Sequence, residues 1–267
     1  MKTKLTILTI ALSIFAASTA WGWGRDAHAT IAYIAERHLT PEAKQNIEAQ
    51  IDGRSIVYYA SWMDNHREEV RQWRHSAYYD PITHKPTGTA YTELNTTIEK
   101  LRDYKSLSER KRKEHIYHLV HAMGDFHCPG HTYLLSADGK TKVNTHYDVV
   151  GHDGKVTRFH TVWDLHVTRH FHSTFGYMDF AHSLDNNLSQ DYIDHVTAGN
   201  LYDWLCETCN ESLWIYDMVP KKPKGTPKAE LSRINIVQLQ EMGLLADRQI
   251  VKAGLRLAKV INEVFGK

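Results

Sequence analysis

The stretch Ile116 to His131, IYHLVHAMGDFHCPGH, holds the densest set of chemically capable side chains in the sequence. Read as a helix as far as Phe126, it places His121 and Asp125 four residues apart on one face, with His118 a turn earlier. Leu119, Val120, Met123 and Phe126 supply packing positions on the same helix. Pro129 and Gly130 then turn the chain, so His131 can return over the helix end. Two imidazoles and a carboxylate in this order form a nitrogen and oxygen donor set suited to Zn2+ or a similar divalent ion. FHTVWDLHV repeats the spacing, with His160 and Asp164 four apart. In ASWMDNHR, Asp64 and Arg67 stand three apart, so a carboxylate and a guanidinium share a face. One His-x-x-x-Asp pair has an ordinary structural explanation, whereas this surplus of ligands points to a metal cluster. His118, His127, His166, His170 and His172 are read as surface groups or partners of ligands, and Cys128 as a buried neutral thiol.

The elements that must hold these groups are mostly helical. An amphipathic helix begins near His28 and runs through Ile31, Ala32, Ile34, Ala35 and Leu39. Thr40-Pro41-Glu42 has the form of an N-cap, a first helical position and a first-turn acid, opening a second helix that stops near Gly53. A third is predicted from Ile56 through Val70, then helices from Thr92 to Tyr104 and Ser108 to Phe126. SAYYDPITHKPTGT reads as a surface loop, and Ser136 to Lys155 as a polar, turn-rich stretch with one short hairpin. A helix starting at Phe159 is predicted to continue to His172. Asp191 to Val219 and Ala229 to Phe265 read as long helices separated by the loop PKKPKGTPK, with a break at Gly243. The expected architecture is therefore all-α: one compact, mostly helical domain with long surface loops.

Composition narrows the function. The 267 residues are 42% hydrophobic and 24% charged, with a formal net charge of +1, which excludes a long basic face holding duplex nucleic acid by charge alone. Eighteen histidines are the unusual entry in the composition. Met1 to about Ala20 has Lys2 and Lys4, an apolar run from Leu5 to Ala17 and then small residues, the layout of a secretory leader. The protein is therefore expected in the periplasm or outside the cell, with no membrane anchor. Leader cleavage after Ala20 or after Gly22 both satisfy the small-residue rule; the second would leave a free amine on Trp23, which with its own carbonyl oxygen can chelate a metal. Cys206 and Cys209 can close a small local disulfide, leaving Cys128 unpaired.

Taken together, WGRDAH (Trp23 to His28), ASWMDNHR (Ala60 to Arg67), HLVHAMGDFHCPGH (His118 to His131), FHTVWD (Phe159 to Asp164) and AGLRLAKVINEV (Ala253 to Val264) resemble the secreted zinc-dependent single-strand nucleases of the S-one/P-one type. That family shares a mostly helical fold with bacterial zinc phospholipase C. The resemblance implies residues 1–22 as leader, 23–267 as the nuclease domain, and three Zn2+ in one cleft. It assigns Asp64, His75, His121 and Asp125 to one ion, Trp23, His28 and the shared Asp125 to a second, and His131, His160 and Asp164 to the third. His75 is reached only by a two-residue shift, since the family's register falls on Ala77 before Tyr78 and Asp80. The SADGKTKVN and GHDGK segments replace the family's Gly-Gly-Asn, and Cys128 stands where a Gln is usual.

Two ions about 3.5–4 Å apart would lower the pKa of a shared water toward neutrality for attack on phosphorus, and the third would neutralise the departing oxygen. Asp64 would orient the water, Arg67 would neutralise equatorial oxygens, and Tyr78 and Asp80 would receive a base. The expected substrate is single-stranded nucleic acid or a 3′-nucleotide, released as 5′-mononucleotides, and the expected state is a monomer. The rivals are a zinc phospholipase C, which typically ends its third pair with Glu rather than Asp164, and an exported zinc-binding protein without turnover.

Overall fold

The protein is described from a computed structural model covering residues 23–70, 73, 77–80, 82–135, 141–143, 145–167 and 176–267. The helices are α1 (Arg25–Arg37), α2 (Pro41–Gln50), α3 (Trp62–Asn65), α4 (Ala90–Arg102), α5 (Glu109–Phe126), α6 (Phe159–Thr161), α7 (Tyr177–Asp185), α8 (Gln190–Thr197), α9 (Leu201–Met218) and α10 (Ile236–Phe265). The strands are β1 (Ala77–Asp80), β2 (Lys85–Gly88), β3 (Thr132–Leu135), β4 (Lys142–Val143), β5 (Asp148–Val150) and β6 (Val156–Arg158). The chain is thus mostly helical, as the sequence predicts. Among the described residues no helix is long and apolar enough to cross a membrane.

The 30-residue α10 is the spine, packing most heavily against α1 and also against α2, α5 and α8. Apolar residues recur at helical spacing along it, among them Leu239, Met242, Ala246, Ile250, Ala253, Leu257, Ile261 and Val264, and all are buried. An Asn235–Gln238 capping box starts it. It runs unbroken through Gly243, because the apolar stripe continues on both sides and outweighs the roughly 1 kcal/mol that one interior glycine costs. Thr40 caps α2 as expected, its hydroxyl accepting from the Ala43 amide.

Several expectations are corrected. Ile56–Val70 is not one helix: a 3-10 turn, Ile56–Tyr59, is followed by the single-turn α3. The chain leaves α3 at His66, whose ring stacks on Trp62 at 4.5 Å and whose Nδ1 donates to the Trp62 carbonyl. The predicted loop at 77–88 is a β-hairpin, β1–β2, and β1 also pairs in parallel with β3, giving a sheet ordered β2-β1-β3-β4. Pro86 is tolerated because β2 is the sheet edge. The stretch after Asp191 breaks in two, because Gly199 adopts a φ of +77° and Asn200 and Asp203 form a capping box that starts α9 anew. α7 was not anticipated. A hairpin, β5–β6, turns at Gly154, with its second strand just beyond the expected Ser136–Lys155 stretch. α6 continues as a π-helical turn, Val162–Val167, and the rest of the predicted extension, 168–172, lies outside the described residues.

Candidate metal centre

Six ligand candidates come from four separate segments and are aimed inward. α1 presents His28, α5 presents His121 and Asp125, the turn Pro129–His131 presents His131, and α6 with its π-turn presents His160 and Asp164. Among the described residues, two groups have ligand atoms that all lie within 4.8 Å of one another: His28, His121, Asp125 and His131, His160, Asp164. These side chains are buried or nearly so; Asp164 is 1% exposed and Asp125 8%.

The two groups are joined. His131 Nδ1 stands 3.7 Å from Asp125 Oδ1, and its Nε2 3.8 Å from Asp164 Oδ1. Asp125 offers a different oxygen to each imidazole of its own group, Oδ1 to His28 Nε2 at 3.3 Å and Oδ2 to His121 Nε2 at 3.4 Å. His160 Nε2 lies 3.3 Å from Asp164 Oδ2. The rings are held in parallel pairs, His28 on His121 at 4.1 Å and His131 on His160 at 4.8 Å.

Bonds on the far side of the rings fix their orientation. His121 Nδ1 donates to the Ala60 carbonyl at 2.9 Å, and His160 Nδ1 meets Thr145 Oγ1 at 3.2 Å. The carbonyl bond selects the His121 tautomer with a free Nε2, and both bonds orient their rings so that Nε2 turns toward a carboxylate. Glycines let the backbones approach closely enough. A methyl built on Gly24 would lie 2.4 Å from the Asp164 carbonyl oxygen, one on Gly124 2.8 Å from His28 Nδ1, and one on Gly130 2.4 Å from Trp163 Cγ.

The donor atoms fit a divalent cation. Two ligands each about 2.0–2.1 Å from a tetrahedral ion stand roughly 3.3 Å apart, close to the spacing of the His28–Asp125, His121–Asp125 and His160–Asp164 pairs. It is longer than a good nitrogen–oxygen hydrogen bond, about 2.9–3.0 Å. Both ring nitrogens of His28, Asp125 Oδ1, His131 Nε2 and both oxygens of Asp164 are buried without a hydrogen bond. Buried polar atoms left in this state cost about 1–3 kcal/mol each, which a bound cation removes.

The charges record the strain. Burial pushes the Asp164 carboxyl up to about 7, and burial together with the neighbouring His131 and His146 drives His160 down to about 2. Burial lowers His28 as well. Burial alone would raise Asp125, but His121 and His131 hold it well below the carboxylate range, and Asp125 in return lifts the buried His121 to about 9. Burial, then Asp164 and Asp125, pushes the Cys128 thiol up, so it is the neutral buried thiol expected from the sequence.

The remaining candidates are placed as follows. Trp23 is fully buried, its indole donating to the Gly124 carbonyl at 2.9 Å and meeting Trp163 edge-on at 6.1 Å. Asp64 lies outside the tight groups yet within electrostatic reach of His121, His28 and Asp125, and burial raises its carboxyl. Arg67 Nε donates to the Asp64 carbonyl at 3.1 Å, and its NH2 lies 4.0 Å from Asp64 Oδ1. His75 lies outside the described residues. Tyr78 packs beside Tyr133 at 5.2 Å with Lys142 Nζ 4.2 Å above its ring. Asp80 is occupied: its oxygens accept from the Ile82 amide and the Thr83 hydroxyl, closing the β1–β2 turn.

Beside Asp125 and His131, a small recess is walled by Ala77, Ala90, Leu94, Ala122, Phe126 and Thr132. Sequence reading missed Tyr133, Thr145, His146 and Lys142. Strand pairing and a hairpin bring them in, and no local spacing marks them. His118 and His127 prove structural, His118 meeting Thr97 Oγ1 at 2.6 Å and His127 donating to the Met123 carbonyl at 2.8 Å. Cys206 and Cys209 carry free thiols.

A fold of helices converging on clustered histidines and aspartates defines a class, and the sequence comparisons name it. The family model described as S1/P1 Nuclease matches residues 23–266, so the chain belongs to the S1/P1 nuclease family. It is similar to Nuclease PA3 of Penicillium sp and Nuclease P1 of Penicillium citrinum, each 25% identical over 91% of this chain and 98% of the relative. Endonuclease 5 of Arabidopsis thaliana is 21% identical over 98% of this chain and 97% of its own length.

Proposed function

We propose that this protein is an exported nuclease that binds three Zn2+ and hydrolyses single-stranded DNA or RNA to 5′-mononucleotides, with 3′-nucleotidase activity. The observation that carries it is the pair of linked groups, His28, His121, Asp125 and His131, His160, Asp164, whose buried ligand atoms lie at cation spacing. Names among the relatives, Nuclease P1 and Endonuclease 5, support the substrate class. Asp64, His75, His121 and Asp125 would hold one ion, Trp23, His28 and Asp125 a second, and His131, His160 and Asp164 the third. Bound zinc supplies an acidified water and a counter-charge for the departing oxygen.

The protein's own groups do the rest. Asp125 presents one oxygen to each of two imidazoles, which suits a carboxylate shared between ions. Asp64, within electrostatic reach of the same group and linked to Arg67, would orient water, and the Arg67 guanidinium would neutralise phosphoryl oxygens. Tyr78 and Tyr133 offer ring faces for an unpaired base. Asp80 supports Tyr78 by holding the hairpin turn, with a base contact as its second role.

Leader removal after Gly22 would free the Trp23 amine, and the family match opening at residue 23 supports that position. The exported protein should contain three zinc ions per chain, begin at Trp23 by mass, and degrade single-stranded DNA, RNA and 3′-nucleotides. A zinc-replete preparation that leaves all three substrates intact would refute the reading.

A further inference from the structure

The formal charge of the chain is +1, yet the loop between α9 and α10 concentrates Lys221, Lys222, Lys224, Lys228 and Arg233 against a single acid, Glu230. All four lysines are exposed. The root of this loop is clamped. Ser232 Oγ donates to the Pro220 carbonyl at 2.5 Å, closing the neck, and the Tyr147 hydroxyl donates to the Val219 carbonyl at 2.7 Å. The Val150 amide donates to the Ser232 carbonyl and the Ile234 amide returns to Val150, both at 2.9 Å.

The same segment leads into the metal centre. Tyr147 stacks on Phe159 at 5.0 Å, and Thr145, two residues earlier, touches the His160 ring. Trp214, one turn before the end of α9, is 41% exposed.

We propose that this lysine loop is a second contact for the substrate, taking backbone phosphates of single-stranded nucleic acid outside the metal cleft. The identity of the polyanion rests on the nuclease reading above. Exposed ammonium groups hold phosphates chiefly by releasing counterions, which needs charge density and no fixed geometry. The clamped neck anchors both ends of the loop beside β5, upstream of the segment that bears His160, and Trp214, on α9 ahead of the loop, adds an exposed ring on which a base can stack. Short substrates would reach the metals without touching the loop, and long strands would engage both.

The test uses the mature zinc-loaded protein and the fourfold variant K221A/K222A/K224A/K228A. Anisotropy of a labelled, cleavage-resistant oligonucleotide of about 20 nucleotides is followed between about 50 and 200 mM salt. Four lost contacts at roughly 0.7 each should make the log–log salt dependence shallower by about 3, so the wild-type advantage shrinks roughly 50-fold over that range. Dinucleotide cleavage should be unchanged. Equal salt slopes overturn the proposal, as does a variant that binds the oligonucleotide as tightly as wild type while losing affinity for phosphatidylglycerol vesicles. Slopes that differ in a protein that cleaves nothing would sustain the loop and sink the nuclease reading; equal slopes in an active nuclease would do the reverse.

Discussion

Gly124→Ala separates local helix preference from the demands of the metal centre. In the interior of α5, replacing glycine by alanine should gain about 1 kcal/mol from propensity alone. The structure opposes that gain: the new methyl would sit 2.8 Å from His28 Nδ1, 3.0 Å from Cε1 and 3.3 Å from Ile31 Cδ1. Ordinary contact between such atoms begins at about 3.5 Å, so the imidazole must retreat by roughly 0.7 Å. It cannot do so freely, because its other face lies 4.1 Å from the His121 ring. Overpacking of this kind costs about 1–3 kcal/mol, leaving the metal-free protein between about neutral and 2 kcal/mol less stable. The larger effect falls on metal: a displaced ligand ring should weaken binding at the first group by about 10–100-fold. Competitive chelator titration, with thermal melts of the zinc-loaded and stripped forms, measures both. Unchanged zinc affinity together with a melting temperature raised by the full propensity increment would refute the reasoning. Gly254→Ala is the control: its methyl would lie 2.5 Å from Ile34 Cγ2, where α10 meets α1, and should lower stability while leaving zinc affinity alone.

Further outcomes are expected elsewhere. Asp164→Asn keeps the shape but removes a buried anion from the second group, so zinc per chain should fall from three to two and cleavage by at least about 100-fold, read by elemental analysis and a single-strand assay. Zinc removal should lower the melting temperature well beyond that of a surface-charge change, since ligand at about 100 times its Kd stabilises by about 2.7 kcal/mol per site. Burial, with Lys100 and Lys111 nearby, holds His115 down to about 4, so the unfolded chain takes up a proton that the folded one refuses as pH falls from about 6.5 toward 4. Stability should decline through that window with a ceiling of about 1.4 kcal/mol per pH unit, and urea midpoints of His115→Leu should fall less steeply than those of wild type. Of the three cysteines only Cys206 is partly exposed, and burial raises all three thiols; native labelling should modify Cys206 alone, and denatured labelling all three.

What could be read in advance followed from local spacing. His121 and Asp125 on α5, His160 on α6 with Asp164 on the π-turn that follows, and the Thr40-Pro41 start of α2 are each set by residues within one turn, and all stand where periodicity put them. The β1–β2 hairpin was hidden because its partner is remote: Ala77 to Tyr79 pair with Thr132 to Leu134, more than fifty residues on, and Pro86 and Gly88 give β2 the look of a loop. The break between α8 and α9 was legible, since Asn200 followed three residues later by Asp203 has capping-box spacing, but the apolar periodicity on either side masked it. The Ile56 segment failed for the opposite reason: its pattern is helical, yet stacking of His66 on Trp62 and of Tyr59 on Tyr117 turns it out of register.

Gly24, Gly124 and Gly130 let the segments bearing His28, Asp125, His131 and Asp164 approach closely, Gly24 against the Asp164 carbonyl and the other two against the His28 and Trp163 rings. The centre therefore depends on positions that contribute no functional group whatever. A saturation screen graded by retained zinc should rank these three bare positions alongside the donors themselves, so the least tolerant map of the molecule would be drawn partly by hydrogen atoms.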